Sequence, residues 1–344
     1  MSAADSISRD SAQWDAAVLA NRGHLLQGWN WGAFKSEFGW DIERVAVPSG
    51  DRTATAQILF RSRGPVSVGY IPRGPALPDD DPEIARALIK RIDAVSRRRR
   101  ALYTIFEVDR ALPFDGTFRE HMFVRGPERI QPARTVKVTL LPDEQLLAQM
   151  RQNTRYSVRL AIRRNVTVCR AGEAYGVDDF YRLLSDTSDR NKFGIHARGY
   201  YARFLDLFGD NAISIYAQSD GHLAAALIGA RFGDEAIYMY GASSTEYRQH
   251  GAAFLLQYEA MRWARDNGCA RYDLWGIPRD DPGSVSDTGD SIAGTKGDDW
   301  RGLFRFKTGF GGKIVDYPPS LERRYHRLGA FVARRMISDQ RGDS

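Results

Sequence analysis

Tyr272-Asp-Leu-Trp-Gly-Ile-Pro278 and, after a polar Gly/Asp-rich run, Trp300-Arg-Gly-Leu-Phe-Arg-Phe-Lys-Thr-Gly-Phe-Gly-Gly-Lys313 decide how this 344-residue chain is read. The first flank is a short apolar run stopped by Gly-x-Pro, the pattern of a strand entering a turn. The second flank alternates. On a strand, Phe304 and Phe306 would face one way and Arg305 and Lys307 the other. Two cations on one strand face suit an anion or a developing negative charge. Gly309, Gly311 and Gly312 beside them would let a ligand approach closely. The intervening run 279–299 is a long polar loop, of the kind compact domains keep for function. It reads as a candidate lid.

Upstream, Ala252–Asn267 has the apolar spacing of a helix, closed by Gly268. Three strands precede it, Ile213–Ala217, Leu223–Arg231 and Glu235–Tyr240, with turns at Asp220-Gly221 and Gly233-Asp234. Before them lie strand-like Val136–Leu140 and Val166–Cys169, and helical Asp143–Met150, Arg155–Arg164, Asp178–Thr187 and Tyr200–Phe208. The first half follows a related pattern. Trp29–Trp40 reads as helical, and Ile42–Val47, Thr55–Phe60, Ser67–Ile71 and Ala101–Val108 read as strands. Pro82–Arg98 is a helix with Ile84, Leu88, Ile92 and Val95 on one face, and Arg97–Arg100 at its end either complement the helix dipole or form a patch for a polyanion. The expected fold class is therefore α/β of the α+β type, with two units that each hold a mixed, mostly antiparallel sheet flanked by helices. Neither heptads nor a nucleotide-binding G-x-G-x-x-G or G-x-x-x-x-G-K pattern occurs.

A hydrophobic fraction of 43% and a charged fraction of 27% suit a globular domain pair. No apolar run reaches the ~18 residues of a membrane span. The first residues lack the basic and apolar regions of a secretory signal. Cys169 and Cys269, the only cysteines, read as small buried residues in a reducing compartment, and zinc is not expected. The net charge of +6 favours anionic partners: nucleic acid, phosphorylated metabolites or an anionic membrane surface.

The turn Arg248-Gln-His-Gly251-Ala-Ala253 opens the long helix. Its Arg-x-x-Gly-x-Ala spacing resembles the pyrophosphate loop of acetyltransferases of the GNAT superfamily, where a helix N-terminus holds an anion. Packing of a helix start on a sheet would use the same residues.

Further segments stand in order: Trp31-Gly-Ala-Phe-Lys35 with Gly39-Trp40, Tyr70-Ile-Pro-Arg-Gly-Pro75, Thr154-Arg-Tyr-Ser-Val-Arg159, Asp189–His196 with Tyr200-Tyr201, Tyr240-Gly-Ala-Ser-Ser244 and Leu255–Trp263. With the opening pair they resemble the FemABX family of non-ribosomal peptidyltransferases, from about Leu25 to Tyr325. The resemblance implies two GNAT-like domains, 1–145 completed by 318–344, and 146–317, without the coiled-coil arm of some members. It implies aminoacyl-tRNA as donor and co-substrate, no other cofactor, and a UDP-linked or lipid-linked peptidoglycan precursor as acceptor. The implied setting is a cytoplasmic monomer, with peripheral contact at the anionic inner membrane face left open. By the same resemblance, Lys307, after Phe306, lies near the reacting ester, Asp109 is an acidic site residue, and Lys35 contacts acceptor phosphates. Arg73, Tyr200, Tyr201 and Tyr240 fall in substrate-binding motifs, and Arg305 faces tRNA. Where the family often has an arginine four residues before a tyrosine, this chain has His196 before Tyr200, or Ala197 before Tyr201. That departure leaves the phosphate contact and the acceptor's linkage open.

An aminoacyl ester is already activated, so its aminolysis needs positioning and oxyanion stabilisation rather than a covalent nucleophile or a metal. Lys307 suits the oxyanion; Asp109 suits the amine's proton. Tyr200 and Tyr201, adjacent on a helix, are expected to diverge. Two other readings stand beside this one. An acyl-CoA-dependent N-acyltransferase rests on the Arg248 turn. A non-catalytic binder of nucleic acid or anionic membrane rests on Arg323, Arg324, Arg327, Arg334 and Arg335 in an expected C-terminal helix.

Overall fold

The computed structural model describes residues 3–79, 81–113, 123–127, 130–191, 193–278 and 300–326. The chain divides into two compact units. One runs to Gln131 and resumes at Tyr317; the other covers Pro132–Asp316. The expected lid, 279–299, and the segment holding Arg327, Arg334 and Arg335 lie outside the described residues.

The first unit opens with helices α1 (Ala3–Ile7), α2 (Ser11–Ala20) and α3 (Trp29–Ser36). Strands β1 (Asp41–Ser49), β2 (Arg52–Arg63) and β3 (Val66–Pro72) then form an antiparallel meander. Helix α4 (Pro82–Arg98) crosses over to β4 (Ala101–Glu107), which pairs with β3 in parallel. Asp81 caps α4 by accepting from the Ile84 N–H, and Pro82 is preorganised at its first turn. Ile84, Leu88, Ile89, Ile92 and Val95 are buried against the sheet, each such side chain contributing about 1.5–3 kcal/mol. β5 (Val124–Arg125) and the returning β13 (Leu321–Arg324) complete a sheet of order β1-β2-β3-β4-β13-β5.

Arg323 and Arg324 therefore sit on a strand rather than the expected helix. The cause is local pairing: Leu321–Arg324 lies antiparallel to Tyr103–Phe106. Glu322 is buried, and Arg323 is bonded to Asp93 at 2.8 Å.

The second unit contains β6 (Arg134–Thr139), α5 (Asp143–Ala148), α6 (Gln152–Arg163), β7 (Thr167–Arg170), α7 (Val177–Asn191) and α8 (Arg198–Phe208). The meander β8 (Ala212–Ser219), β9 (His222–Phe232) and β10 (Glu235–Ser243) follows. Helix α9 (Ala252–Asp266) crosses to β11 (Arg271–Ile277), parallel to β10, and α10 (Trp300–Thr308) and β12 (Lys313–Asp316) end the unit. The sheet order is β12-β6-β11-β10-β9-β8-β7. A division after 145 would leave β6 with the first half, but β6 pairs with β11 and β12. Each unit thus repeats one scheme: three antiparallel strands, a helix, and a strand parallel to the third. Among the described residues no helix is long and apolar enough to cross a membrane.

Candidate active site

Trp300–Thr308 is a helix, not the strand that the Phe/Lys alternation suggested. Four alternating residues fit either period. Here the i, i+4 row decides: Phe306 meets Phe310 edge-on at 5.3 Å and Phe254 at 4.9 Å. Lys307, one position further round, turns inward and is only 6% exposed. Arg305 is exposed, so the two cations do not share a face as a strand would require.

The Lys307 Nζ donates to the Gly276 carbonyl at 2.8 Å and lies 5.4 Å from the Tyr238 ring centroid. Burial lowers its pKa to about 8, while the Asp273 carboxylate acts to raise it. Asp273 is fully buried on β11. Its Oδ1 accepts from the Thr135 hydroxyl and from the Trp275 N–H, the latter at 2.7 Å. Its Oδ2 lies 3.7 Å from Lys137 Nζ, which also bonds Glu235 at 2.7 Å.

This cluster has a local cause in the opening motif. Trp275 adopts φ 60, a left-handed conformation that bulky residues avoid. The Asp273 side chain supports it by binding the N–H two residues on, as in an Asx turn. The pairing of β11 with β6 is bulged between Asp273 and Gly276. Such bulges re-aim the strand, and here the Gly276 carbonyl meets Lys307. Among the described residues this bond uses one of the lysine's N–H groups, which leaves donors for a developing oxyanion.

Asp273, Thr135, Lys137, Glu235 and Tyr238 were not among the residues singled out from sequence. One signal was present: an aspartate inside the apolar run Tyr272–Ile277 must find buried partners.

A second cluster gathers His196, Tyr200, Tyr201 and Tyr240. The His196 ring stacks on Tyr200 with centroids 3.7 Å apart, and its main-chain N–H donates to the Tyr201 hydroxyl at 3.2 Å. Tyr200 and Tyr201 both meet Tyr240 edge-on, at 6.3 and 5.1 Å. They were expected to diverge, yet both are buried around the same ring. Burial raises the pKa of Tyr201 to about 12 and that of Tyr240 well above its ordinary value, so these phenols stay neutral donors. A bulge in the β10–β9 register between Tyr238 and Tyr240 gives these two tyrosines different neighbours: Tyr238 meets Lys307, and Tyr240 meets α8.

The first unit holds the remaining residues. Lys35 lies in the last turn of α3, with its Nζ 5.6 Å from the Trp31 ring centroid. Burial, aided by the Arg61 charge, lowers its pKa to about 8. A Cβ on Gly32 of that motif would lie 2.1 Å from Gln57 Oε1, which accepts from Arg44, so any side chain there would have to displace that pair. Arg73 is buried with its guanidinium 3.5 Å from the Tyr317 ring centroid. Asp109 is paired with Arg110 at 3.1 Å.

The glycines after Lys307 serve the chain itself rather than a ligand. A Cβ on Gly309 would lie 2.1 Å from Thr154 Oγ1, on Gly311 2.0 Å from the Gln149 carbonyl, and on Gly312 2.7 Å from the Lys137 carbonyl. Gly251, at the N-terminus of α9, has φ 76, and its Cβ would meet the Ser157 carbonyl at 2.5 Å. Packing against α6 therefore explains Gly251 without a bound pyrophosphate.

Comparison with known proteins agrees with this architecture. The model of the FemAB family matches residues 13–109, 124–220 and 213–332. The lipid II:glycine glycyltransferase of Staphylococcus aureus (strain MRSA252) is 25% identical over 353 residues, spanning 77% of this chain and 83% of that protein. Among solved structures, the crystal structure of FemX superposes with a TM-score of 0.81 at 19% identity, covering 94% of this chain and 98% of that one. A tandem GNAT protein from the clavulanic acid biosynthesis pathway gives 0.54 at 15% identity over 92% and 95% of the two chains. The fold is a tandem GNAT-like α/β arrangement.

Proposed function

The chain belongs to the FemAB family, and we propose that, as an aminoacyltransferase of that family, it moves an amino acid from an aminoacyl-tRNA to an amine of a peptidoglycan precursor peptide. The observation that carries this reading is the buried Lys307 ammonium, aimed by the bulge at Gly276. A group of this kind suits a reaction that needs only positioning and charge stabilisation.

In the proposed step the acceptor nitrogen attacks the ester carbonyl carbon. A C–N bond forms, and the C–O bond to the ribose breaks. The amine proton passes to the departing ribose oxygen, directly or through water. Lys307 keeps its proton throughout and donates to the tetrahedral oxyanion, a contribution typically of about 3–4 kcal/mol. With a pKa of about 8, the lysine is mainly charged at neutral pH, as this role requires.

Lys35 is assigned to acceptor phosphates, with the nearby Arg61 charge adding to the local positive potential. The His196–Tyr240 cluster is assigned to seating the acceptor. The Staphylococcus aureus relatives direct the first trials to glycine and a lipid II-type acceptor. That acceptor would place the reaction at the cytoplasmic membrane face. Mass spectrometry of precursors from cells with and without the protein tests the proposal. The precursor peptide should gain the mass of one amino acid residue only when the protein is present. Identical precursors in both strains would contradict it.

A further inference from the structure

We propose that the exposed face of α6 is a docking surface for the phosphate backbone of RNA, an inference that rests on the tRNA-donor reading above. The helix Gln152-Asn-Thr-Arg-Tyr-Ser-Val-Arg-Leu-Ala-Ile-Arg163 contains no acidic residue. Thr154, Val158 and Ala161 form its buried stripe. At 3.6 residues per turn the opposite face carries Tyr156, Arg159 and Arg163. Tyr156 is 56% exposed, and the Arg163 guanidinium lies 5.5 Å from its ring centroid.

Some other exposed arginines of this unit have acidic partners, Arg182 with Asp179, Arg198 with Asp178 and Arg271 with Asp234, and Arg164 and Arg190 donate to main-chain carbonyls. Among the described residues no acid pairs with Arg159 or Arg163. Arg155 is different, since it donates to the Ala148 and Met150 carbonyls and so holds the preceding turn.

The position of α6 supplies a second argument. The N–H of Arg151, just before the helix, donates to the Gly309 carbonyl at 2.8 Å, immediately beyond the helix that carries Lys307. From there α6 extends roughly 18 Å at 1.5 Å per residue. A donor whose ester end lies at Lys307 has more of its backbone to place along such a track. Planar guanidinium groups and an exposed ring suit phosphates and unstacked bases. A membrane surface fits less well, because Val158 and Ala161 of α6 are buried in the core and Ile162 alone does not make an apolar face.

The test is fluorescence anisotropy with an uncharged tRNA transcript across a salt series, using the full chain. Arg159→Gln/Arg163→Gln should weaken binding about tenfold or more and reduce the log–log salt slope by about 2. It should raise KM for aminoacyl-tRNA while leaving KM for the acceptor unchanged. Tyr156→Ala should weaken binding at least about fivefold with the slope retained, and Arg182→Gln should do neither. Circular dichroism melts matching the wild type establish that the variants are folded. A double variant with wild-type affinity and slope overturns the surface. So does loss of binding to anionic vesicles in place of RNA. A wild-type chain that transfers an amino acid from tRNA while the double variant is unaffected defeats this surface alone; one that neither binds tRNA nor transfers defeats the donor reading too.

Discussion

Lys307 donates to the main-chain carbonyl of Gly276 at 2.8 Å, joining the helix after the 279–299 run to the strand before it. The bond depends on three linked features of β11: the buried Asp273 carboxylate, the left-handed Trp275 and the bulge against β6. The strain of a residue such as Trp275 costs on the order of 1–3 kcal/mol and is retained where surrounding structure fixes it.

Asp273→Asn keeps the side-chain shape and an acceptor oxygen but removes the charge that raises the Lys307 pKa. The lysine should then lose its proton at lower pH than about 8. The alkaline fall of kcat/KM should move to lower pH, and a single-turnover pH profile measures it. An unmoved alkaline limb would show that Asp273 does not tune Lys307.

Lys307 also links stability to pH. Its pKa is about 8 when folded and 10.5 in the ordinary reference state, so the unfolded chain binds more protons between those values. Stability from this group therefore rises as pH rises from about 8, by about 2–3 kcal/mol near pH 10. Denaturant melts of Lys307→Met should lack that part of the rise seen in the wild type. Parallel curves for the two proteins would contradict the burial of a titrating amine.

Gly311→Ala should destabilise the second unit by about 2–4 kcal/mol, because φ 83 is unfavourable for alanine and the added Cβ would lie 2.0 Å from the Gln149 carbonyl. Thermal unfolding reads this directly. A melting temperature equal to the wild type would return this glycine to the ligand-approach role read from the sequence.

Most of the architecture was legible because period and punctuation agreed. Pro82–Arg98 showed a clean apolar face with a cap before it, and the meander before α9 was marked by Asp220-Gly221 and Gly233-Asp234. The failures came where the local pattern was short or the deciding contacts were distant. Phe304–Lys307 alternates over too few residues to separate strand from helix, and the Phe306–Phe310 contact settles it. Gly309, Gly311 and Gly312 looked like room for a ligand because backbone from Gln149 and Lys137 cannot be placed from sequence. Arg323 and Arg324 looked helical because β4, their pairing partner, lies far back in the chain. Lys307 was singled out from the Phe/Lys alternation and then given its role by the family resemblance, whereas Asp273, its buried neighbour in charge, was passed over although it stands in the motif that was quoted first.

His196→Ala removes the ring stacked on Tyr200 at 3.7 Å while leaving Tyr201 and Tyr240 in contact. If the cluster seats the acceptor, KM for the acceptor should rise several-fold, roughly 1 kcal/mol of lost contact, with KM for the donor unchanged. Steady-state kinetics varying each substrate in turn distinguishes this from a general loss of fold, which would depress both.

The most direct test of the central claim is transfer of labelled glycine from charged tRNA to a lipid II-type precursor by the wild type and by Lys307→Met, under single-turnover conditions. The account predicts transfer by the wild type and a rate lower by about 100–1,000-fold in the variant, with tRNA affinity preserved. Transfer by Lys307→Met at the wild-type rate would contradict it.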